Sequence, residues 1–273
     1  MASENAATAK SETIGRIFLV AIVLCVVSAL FVAGSVVLLR PAQAANKLLD
    51  TQRNILVAAG LYGDNVDVRQ VFEQRISISL VDLRTGDLVK NPAAVGIADV
   101  STYDQRAATK DPARSEAILP GKDMAKIKRK PYYAKVYLIR DDGGALDKVV
   151  LPVSGYGLWS TMYGYLVLGS DLNTVAGITF TDHGETPGLG GEIDNPKWQA
   201  QWPGKKIYDE QGNVVAHLKK GGIDKHDPAD KAHNVDGLAG ATITSDGVNY
   251  LVQYWLGNDG FGPFLKKLQA QGI

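Results

Sequence analysis

The chain has 273 residues, of which 45% are apolar, and its formal net charge is zero at pH 7. This length supports one sizeable hydrophobic core, and the balanced charge argues against a nucleic-acid-binding surface. The single cysteine, Cys25, excludes an intrachain disulfide and a cysteine cluster that could bind zinc or an iron–sulfur centre.

An apolar run at residues 17–39 contains no charged side chain. It exceeds the ~20 residues that a helix needs to cross the hydrocarbon core of a bilayer. We therefore predict a transmembrane helix over 17–39, between a tail (1–16) and a soluble domain (40–273). A cleavable signal peptide is the alternative, because Ala42-Gln43-Ala44 resembles a cleavage site. The run is nevertheless longer than the ~7–15 apolar residues of such a signal.

Alternating apolar and polar residues, separated by turn residues, dominate the soluble domain. Hairpins outnumber strand–helix–strand units, so the predicted fold class is α+β with one soluble domain, and not a doubly wound parallel sheet. In chain order the patterns predict helices over 46–61 and 66–74, a strand over 76–80, a loop-rich stretch over 90–131, a hairpin of 135–140 with 149–153, a strand pair of 163–168 with 175–180, a short helix from Pro196, and a hairpin through 207–218.

An amphipathic helix is predicted directly after Ser245, a residue type that caps helix N-termini. Gly257 is a typical stop after it. We expect the helix to pack one face against the core, because its apolar residues recur with helical spacing. These residues are Val248, Leu251, Val252, Trp255 and Leu256.

The segment just before this helix is rich in small residues and hydroxyl groups. Gly240 and Ala241 let the backbone approach a ligand closely, and Thr242 and Thr244 supply two hydroxyls. Since the first N–H groups of a helix lack backbone partners, the segment suits a phosphate. An ordinary capped helix after a tight turn fits the same residues. A nucleotide-triphosphate loop is excluded, because no Lys precedes these hydroxyl residues.

The string Ala239-Gly-Ala-Thr-Ile-Thr244 resembles the Ser-Gly-Ala-Thr-x-Thr signature of the FMN-binding family. In that family, FMN is attached through its phosphate to the last Thr of the signature. The resemblance therefore implies that Thr244 is the covalent acceptor and Thr242 a supporting phosphate contact, with Gly240 and Ala241 in the same cofactor-binding loop. Ala239 departs from the signature, where Ser is usual, and this removes one hydroxyl.

Further blocks ahead of this string are similar to the branch of the family formed by the C subunit of the sodium-translocating NADH:quinone reductase. They lie at residues 157–165, 183–193, 195–198 and 202–204. Together with the N-terminal anchor, they extend the resemblance over nearly the whole chain. They favour this branch over the G subunit of the related Rnf complex, which remains the alternative and which the partner genes would distinguish.

The same blocks imply which residues surround the flavin. Trp159 and Leu189 would lie against the isoalloxazine ring, which needs apolar or aromatic faces to stack on. Ser160, Thr186 and Gly190 are implied as polar or backbone contacts to the cofactor.

His183 and Glu185 are predicted to be structural or solvent-facing. Their spacing differs from the H-E-x-x-H pattern of zinc enzymes, and the other three histidines also lack zinc-ligand spacing. No Ser stands in a G-x-S-x-G elbow. We therefore predict neither a metal site nor a hydrolase.

The resemblance implies a membrane-anchored redox subunit with covalent FMN and no catalytic residue of its own. It would relay single electrons from an iron–sulfur centre in the membrane subunits to the flavin of the B subunit, without itself binding NADH or sodium. The implied partners are the A, B, D, E and F subunits, a flavin transferase for maturation, and the membrane. A non-redox, membrane-anchored scaffold is the alternative from a different class, and it predicts a colourless protein.

Charge leaves the orientation of the anchor open. Lys10 and Arg16 precede the apolar run, and Arg40 and Lys47 follow it, so counting positive charges does not decide the orientation. The resemblance implies a short cytoplasmic tail, a single pass through the bacterial inner membrane and a periplasmic FMN-binding domain.

Overall fold

The computed structural model describes residues 14–271, which divide between two compact units, one ending at Asp50 and the other beginning at Thr51. The described part of the first unit is helical and belongs to helix α1 (Ile14–Ala58). By length and composition α1 could cross a membrane, and the apolar side chains of its first part are exposed. Most of the predicted tail, including Lys10, lies outside the described residues, and the bounds of the predicted segments stay predictions.

Helix α1 joins two helices that the sequence pattern predicts separately, over 17–39 and 46–61. Pro41 lies inside it, where the missing N–H removes one helical hydrogen bond without ending the helix. The next residues are mainly Ala, Gln and Lys, which are good helix formers. Continuation through Pro41 therefore costs less than the pattern suggests, and the helix ends three residues earlier than predicted, at Ala58.

The second unit contains an antiparallel sheet with helices on both faces. Its helices after α1 are α2 (Val68–Arg75), α3 (Gln105–Lys110), α4 (Pro196–Gln199), α5 (Pro228–His233), α6 (Thr242–Leu256) and α7 (Gly262–Ala270), with 3-10 helices at Pro92–Val95 and Gly190–Asp194. Its strands are β1 (Ile76–Asp82), β2 (Asp87–Leu88), β3 (Ser115–Ala117), β4 (Arg129–Pro131), β5 (Tyr133–Arg140), β6 (Leu146–Tyr156), β7 (Thr161–Gly169), β8 (Val175–Asp182), β9 (Leu218–Lys219) and β10 (Val235–Asp236).

The main sheet has six strands in the order β2-β1-β5-β6-β7-β8, and every neighbouring pair is antiparallel. The hairpin β5–β6 and the pair β7–β8 confirm the predicted pairings, and with them the α+β class. Strand β6 continues past its predicted end to Tyr156, which pairs with Thr161 of β7. The four residues between them, 157–160, form a tight turn at one end of the sheet.

The predicted hairpin through 207–218 is present as a chain reversal, with backbone bonds from Asp209 N–H to Asn213 and from Val215 N–H to Ile207, but it does not form two regular strands. Tyr208 and Val214 form only an isolated bridge, and β9 instead makes a short parallel pair with β10. The Asp209 carboxylate accepts the N–H groups of Gln211 and Asn213 at 2.9 and 2.8 Å. This side chain closes the compact turn between the two arms of the reversal.

Alternate residues of the sheet point into two separate cores. In β6, Val149 and Leu151 belong to the core that includes α6, whereas Val150 belongs to the core that includes α2 and the end of α1. Helix α6 lies directly on the end of β6, because two glycines leave room for it. A Cβ on Gly247 would lie 2.5 Å from the carbonyl oxygen of Tyr156, and one on Gly155 would lie 2.8 Å from Leu251 Cβ. The start of α6 is thereby held beside the 157–160 turn.

Candidate functional site

Helix α6 begins four residues earlier than predicted, at Thr242, and its N-cap residue is Ala241 instead of Ser245. The predicted N-cap, Ser245, lies in its first turn, where its Oγ accepts the N–H of Leu238 at 2.9 Å and closes the preceding loop. Ala241 occupies the N-cap position, and no side chain of the described residues caps the helix there. Because Ala has no side-chain acceptor, the first N–H groups of α6 are left for solvent or for an anion.

The two threonines of the segment have opposite environments. Thr244 is 1% exposed, and its hydroxyl donates a hydrogen bond of 2.6 Å to Glu185 Oε2. Thr242 is exposed, as is Ile243 beside it. Residues two positions apart in an α-helix lie about 200° apart around its axis, so the hydroxyls of Thr242 and Thr244 cannot lie on the same face. Of the two side chains, Thr242 is therefore the accessible one, and the role of Thr244 as the covalent acceptor stays a prediction.

The carboxylate of Glu185 is the centre of the site and is only 5% exposed as a residue. Its Oε1 accepts the N–H groups of Trp159 and Ser160 at 2.9 and 3.3 Å, and its Oε2 accepts the N–H of Leu158 at 3.1 Å and the Thr244 hydroxyl. Burial raises the pKa of Glu185, but these hydrogen bonds outweigh burial and hold the pKa below its ordinary value. Of the two predicted roles for Glu185, structural or solvent-facing, burial and these hydrogen bonds favour the structural one. Its partners were not predicted, because they lie 25 to 59 residues away along the chain.

Two glycines pack closely over this carboxylate. A Cβ on Gly157 would lie 2.6 Å from Glu185 Oε1, and a Cβ on Gly190 would collide with the Thr244 hydroxyl and lie 2.8 Å from Glu185 Oε2. Gly190 is buried. Its observed role is to leave space for the Glu185–Thr244 pair, and its predicted role as a contact to the cofactor remains a prediction.

His183 supports the same loop. Its Nδ1 accepts the N–H of Glu185 at 3.1 Å, and its Nε2 lies 2.7 Å from Asp194 Oδ2. Since Nδ1 is an acceptor, the neutral ring carries its proton on Nε2 and donates it to Asp194. The nearby Ser160 hydroxyl accepts the N–H of Gly184 at 2.6 Å, so this side chain is also engaged in holding the loop.

Three exposed apolar residues lie in this region: Trp159 and Leu189, which both bond to Thr186 and which we call the platform, and Ile243 in the first turn of α6. The exposed fractions of these three residues are 64%, 45% and 54%. Trp159 Nε1 donates to Thr186 Oγ1 at 3.1 Å, which fixes the indole over the loop. Large exposed apolar groups in one place are typical of a binding surface.

The platform is continuous with the start of α6 through Gly240. This residue has φ +71°, and Leu189 Cδ2 lies 3.1 Å from where a Cβ would stand. A side chain at this position would therefore be strained and would push Leu189 away. The structure brings Trp159, Thr186 and Leu189 onto one surface with Gly240, at the uncapped end of α6.

We expect the free energy of unfolding of the soluble domain to decrease in acid, partly through Glu185. Because the folded-state pKa is below 4.5, the contribution of this group is present above pH 4.5 and is lost as pH falls through the folded-state pKa. Denaturant unfolding at pH 7 and at about pH 3 should show a smaller acid-induced loss in Glu185→Gln than in the unsubstituted chain. Glu192→Gln is the matched control, and an equal loss in Glu185→Gln would contradict the prediction.

Comparison with known proteins agrees with the family resemblance of the sequence motifs. A sequence model of a family described as FMN-binding domain matches residues 157–257. The C subunit of the Na(+)-translocating NADH-quinone reductase of Pseudomonas aeruginosa is 50% identical over 264 residues, which are 96% of this chain and 98% of that protein. The C subunit of the same enzyme of Yersinia pestis is 45% identical over 266 residues, which are 96% of each chain.

Two solved structures share the fold. The crystal structure of NqrC from Shewanella oneidensis has a TM-score of 0.75 and 37% identity, and the match covers 83% of this chain and 99% of that one. The crystal structure of the C subunit from Parabacteroides distasonis has a TM-score of 0.62 and 28% identity, and the match covers 83% of this chain and 96% of that one. The α+β fold of this chain is therefore shared with solved relatives.

Proposed function

Because this chain belongs to the family of the C subunits of Na(+)-translocating NADH-quinone reductases, we propose that it carries FMN covalently on the helix α6 terminus and relays electrons through it. Membership confirms the predicted branch of the family, and residues 157–257 match its FMN-binding domain. The covalent attachment, the residues around the cofactor and the individual partners are our proposals.

The residues of the site fit FMN. The uncapped N-terminus of α6 suits the phosphate, since N–H groups and the helix dipole favour an anion there. Trp159 and Leu189 provide apolar surface for the isoalloxazine ring, and Thr186 and the backbone of Gly240 and Ala241 lie within the same surface or loop. When bound, FMN supplies one- and two-electron redox chemistry. The chain's residues bind it, orient it and set its surroundings.

We assign the phosphoester to Thr242, in place of Thr244, the acceptor that the family resemblance implies. The phosphoester would form when a threonine oxygen attacks the flavin-bearing phosphorus of an activated flavin diphosphate held by a flavin transferase. The bond from that phosphorus to the bridging oxygen would break, the second phosphate would leave with its substituent, and the hydroxyl proton would pass to a base of the transferase. This requires a hydroxyl that the transferase can reach. Thr242 is exposed at the first position of α6, whereas Thr244 is 1% exposed and already donates to Glu185. Attachment at Thr244 would break that bond and leave a bulky phosphate in space that Gly190 closes.

In the assembled complex, we propose that this flavin receives single electrons from an iron–sulfur centre of the membrane subunits and passes them to the flavin of the B subunit. The high exposure of Trp159 and Leu189 supports this role, because a cofactor on an open platform is accessible to partners. The partners would be the A, B, D, E and F subunits. Helix α1 would anchor the chain in the bacterial inner membrane, with the soluble domain on the periplasmic side.

The two alternatives make different predictions. The G subunit of an Rnf complex would share the covalent flavin but assemble with different partners, and the full-length relatives at 45–50% identity favour the reductase. A non-redox scaffold would be colourless. The test of the proposed function is therefore a covalent flavin in native material, detected by intact-mass spectrometry and by fluorescence of the denatured band in a gel.

We expect Trp159→Ala to raise the fluorescence of the bound flavin in the folded protein while leaving the covalent attachment intact. An indole that stacks on a flavin quenches its emission, and loss of an aromatic contact costs about 0.5–1.5 kcal/mol. Leu189→Ala should disturb the ring environment less, because an aliphatic side chain does not quench. Leu119→Ala, at an exposed leucine outside the platform, is the control for Leu189. Unchanged emission in Trp159→Ala would remove this residue from the ring contact.

A further inference from the structure

We propose that Glu185 is a positioning residue for the flavin platform, and that it acts as an ionised carboxylate. It would hold the 157–160 turn, which carries Trp159, in one register against the first turn of α6, which carries the phosphoester. The proposal rests on the proposed function, because it assigns the residue that organises that site.

Three chain segments that surround the platform meet at this one side chain. The 157–160 turn binds it through the N–H groups of Leu158, Trp159 and Ser160. Helix α6 binds it through the Thr244 hydroxyl. The third segment is the loop that contains Glu185 itself and continues to Leu189. Among the described residues, two further hydrogen bonds join the turn to the loop, Gly184 N–H to Ser160 Oγ and Trp159 Nε1 to Thr186 Oγ1, but neither reaches α6. The Glu185 carboxylate is therefore the polar link that joins all three segments.

The number of donors explains why the group must be a carboxylate. Four donors approach it, two at each oxygen, and an ionised carboxylate accepts at both. A glutamine accepts at one oxygen only. If the NH2 group of the glutamine takes the place of Oε1, this donor faces two other donors, the N–H groups of Trp159 and Ser160. If it replaces Oε2, Thr244 can rotate to accept, but the N–H of Leu158 still faces a donor.

Burial prevents an easy repair of such a mismatch. Glu185 is 5% exposed, and Gly157 and Gly190 stand so close that neither position has room for a Cβ. Little space remains for a water to serve as a substitute acceptor. An unsatisfied buried donor costs free energy that local opening of the turn would recover. The predicted consequence of losing the carboxylate is therefore displacement of the turn and, with it, of Trp159.

The experiment compares Glu185→Gln with the unsubstituted full chain, each co-expressed with a flavin transferase. We expect covalent flavin on both, since the Thr242 hydroxyl is not touched. In Glu185→Gln, emission of the bound flavin should rise, and adding Trp159→Ala should change it little further. This non-additivity separates positioning from mere stabilisation, because a structural loss alone would leave the Trp159 effect intact. Glu192→Gln, whose carboxylate accepts only from Asn195 at 2.6 Å among the hydrogen bonds described, is the control.

A second pair of variants keeps the carboxylate and therefore covers the case in which Glu185→Gln does not fold. Thr244→Ser retains the donor to Glu185 Oε2 and should behave like the unsubstituted chain. Thr244→Val removes this donor and should shift flavin emission in the direction expected for Glu185→Gln. Equal emission in all folded variants, with a full Trp159→Ala effect in each, would overturn the proposal.

Hydrogen exchange distinguishes this proposal from the proposed function. In protein without flavin, the amides of residues 158–160 should exchange about tenfold faster or more in Glu185→Gln than in the unsubstituted chain. This readout remains valid even if native material lacks covalent flavin, an outcome that would refute the proposed attachment alone. Unchanged exchange at these three amides would refute the role of Glu185.

Discussion

Thr242→Val should abolish covalent attachment of the flavin, whereas Thr244→Val should retain it. Valine has nearly the shape of threonine but no hydroxyl, so the first variant removes the accessible oxygen at the start of α6. The second removes an oxygen that is 1% exposed and bound to Glu185. Both variants would be co-expressed with a flavin transferase, and each band would be examined by fluorescence after denaturation and by intact-mass spectrometry.

The serine variants are the controls for this experiment. Thr242→Ser keeps a hydroxyl at the exposed position and should still accept flavin, and Thr244→Ser should be modified like the unsubstituted chain. Flavin retained in Thr242→Val but lost in Thr244→Val would return the assignment to Thr244. A bare polypeptide in native, unsubstituted material would contradict the covalent carrier altogether.

Gly190→Ala should lower the free energy of unfolding of the soluble domain by about 1–3 kcal/mol, which is the usual cost of overpacking. The added methyl would collide with the Thr244 hydroxyl and lie 2.8 Å from Glu185 Oε2. Neither atom can move freely, because the two are hydrogen-bonded to each other and Glu185 also holds the 157–160 turn. Denaturant unfolding monitored by circular dichroism measures the change.

The matched control is Gly121→Ala, since a Cβ there has nothing within 4 Å and the backbone does not need a positive φ. That variant should unfold like the unsubstituted chain or be slightly more stable, because alanine restricts the unfolded state. If Gly190→Ala is equally well tolerated, the packing around the Glu185–Thr244 pair is looser than described. Close packing would then no longer exclude a phosphate at Thr244.

Much of the sheet follows from local pattern. The alternation in β5 and β6 and the turn at 141–144 between them predicted this hairpin, and the structure confirms it. At 207–218 the same reasoning predicted the chain reversal but not its extent, because Leu218 pairs with Val235 in a short parallel pair instead. It also separated two parts of α1 at Pro41, because proline lowers helix propensity without forbidding a helix that good formers continue.

The family resemblance and the apolar span of α1 follow from the order of residues alone, because a motif and a hydrophobic run are properties of adjacent positions. The sequence also supplied both candidate hydroxyls, but it could not rank them. Which one is accessible depends on the face of α6 that packs against β6, and that is decided by contacts between Gly155, Gly247 and Leu251. Tertiary structure alone brings Glu185 to Thr244, across 59 residues of chain. The partners of a buried carboxylate depend on the fold, because its oxygens must be hydrogen-bonded and the donors can come from segments distant in sequence.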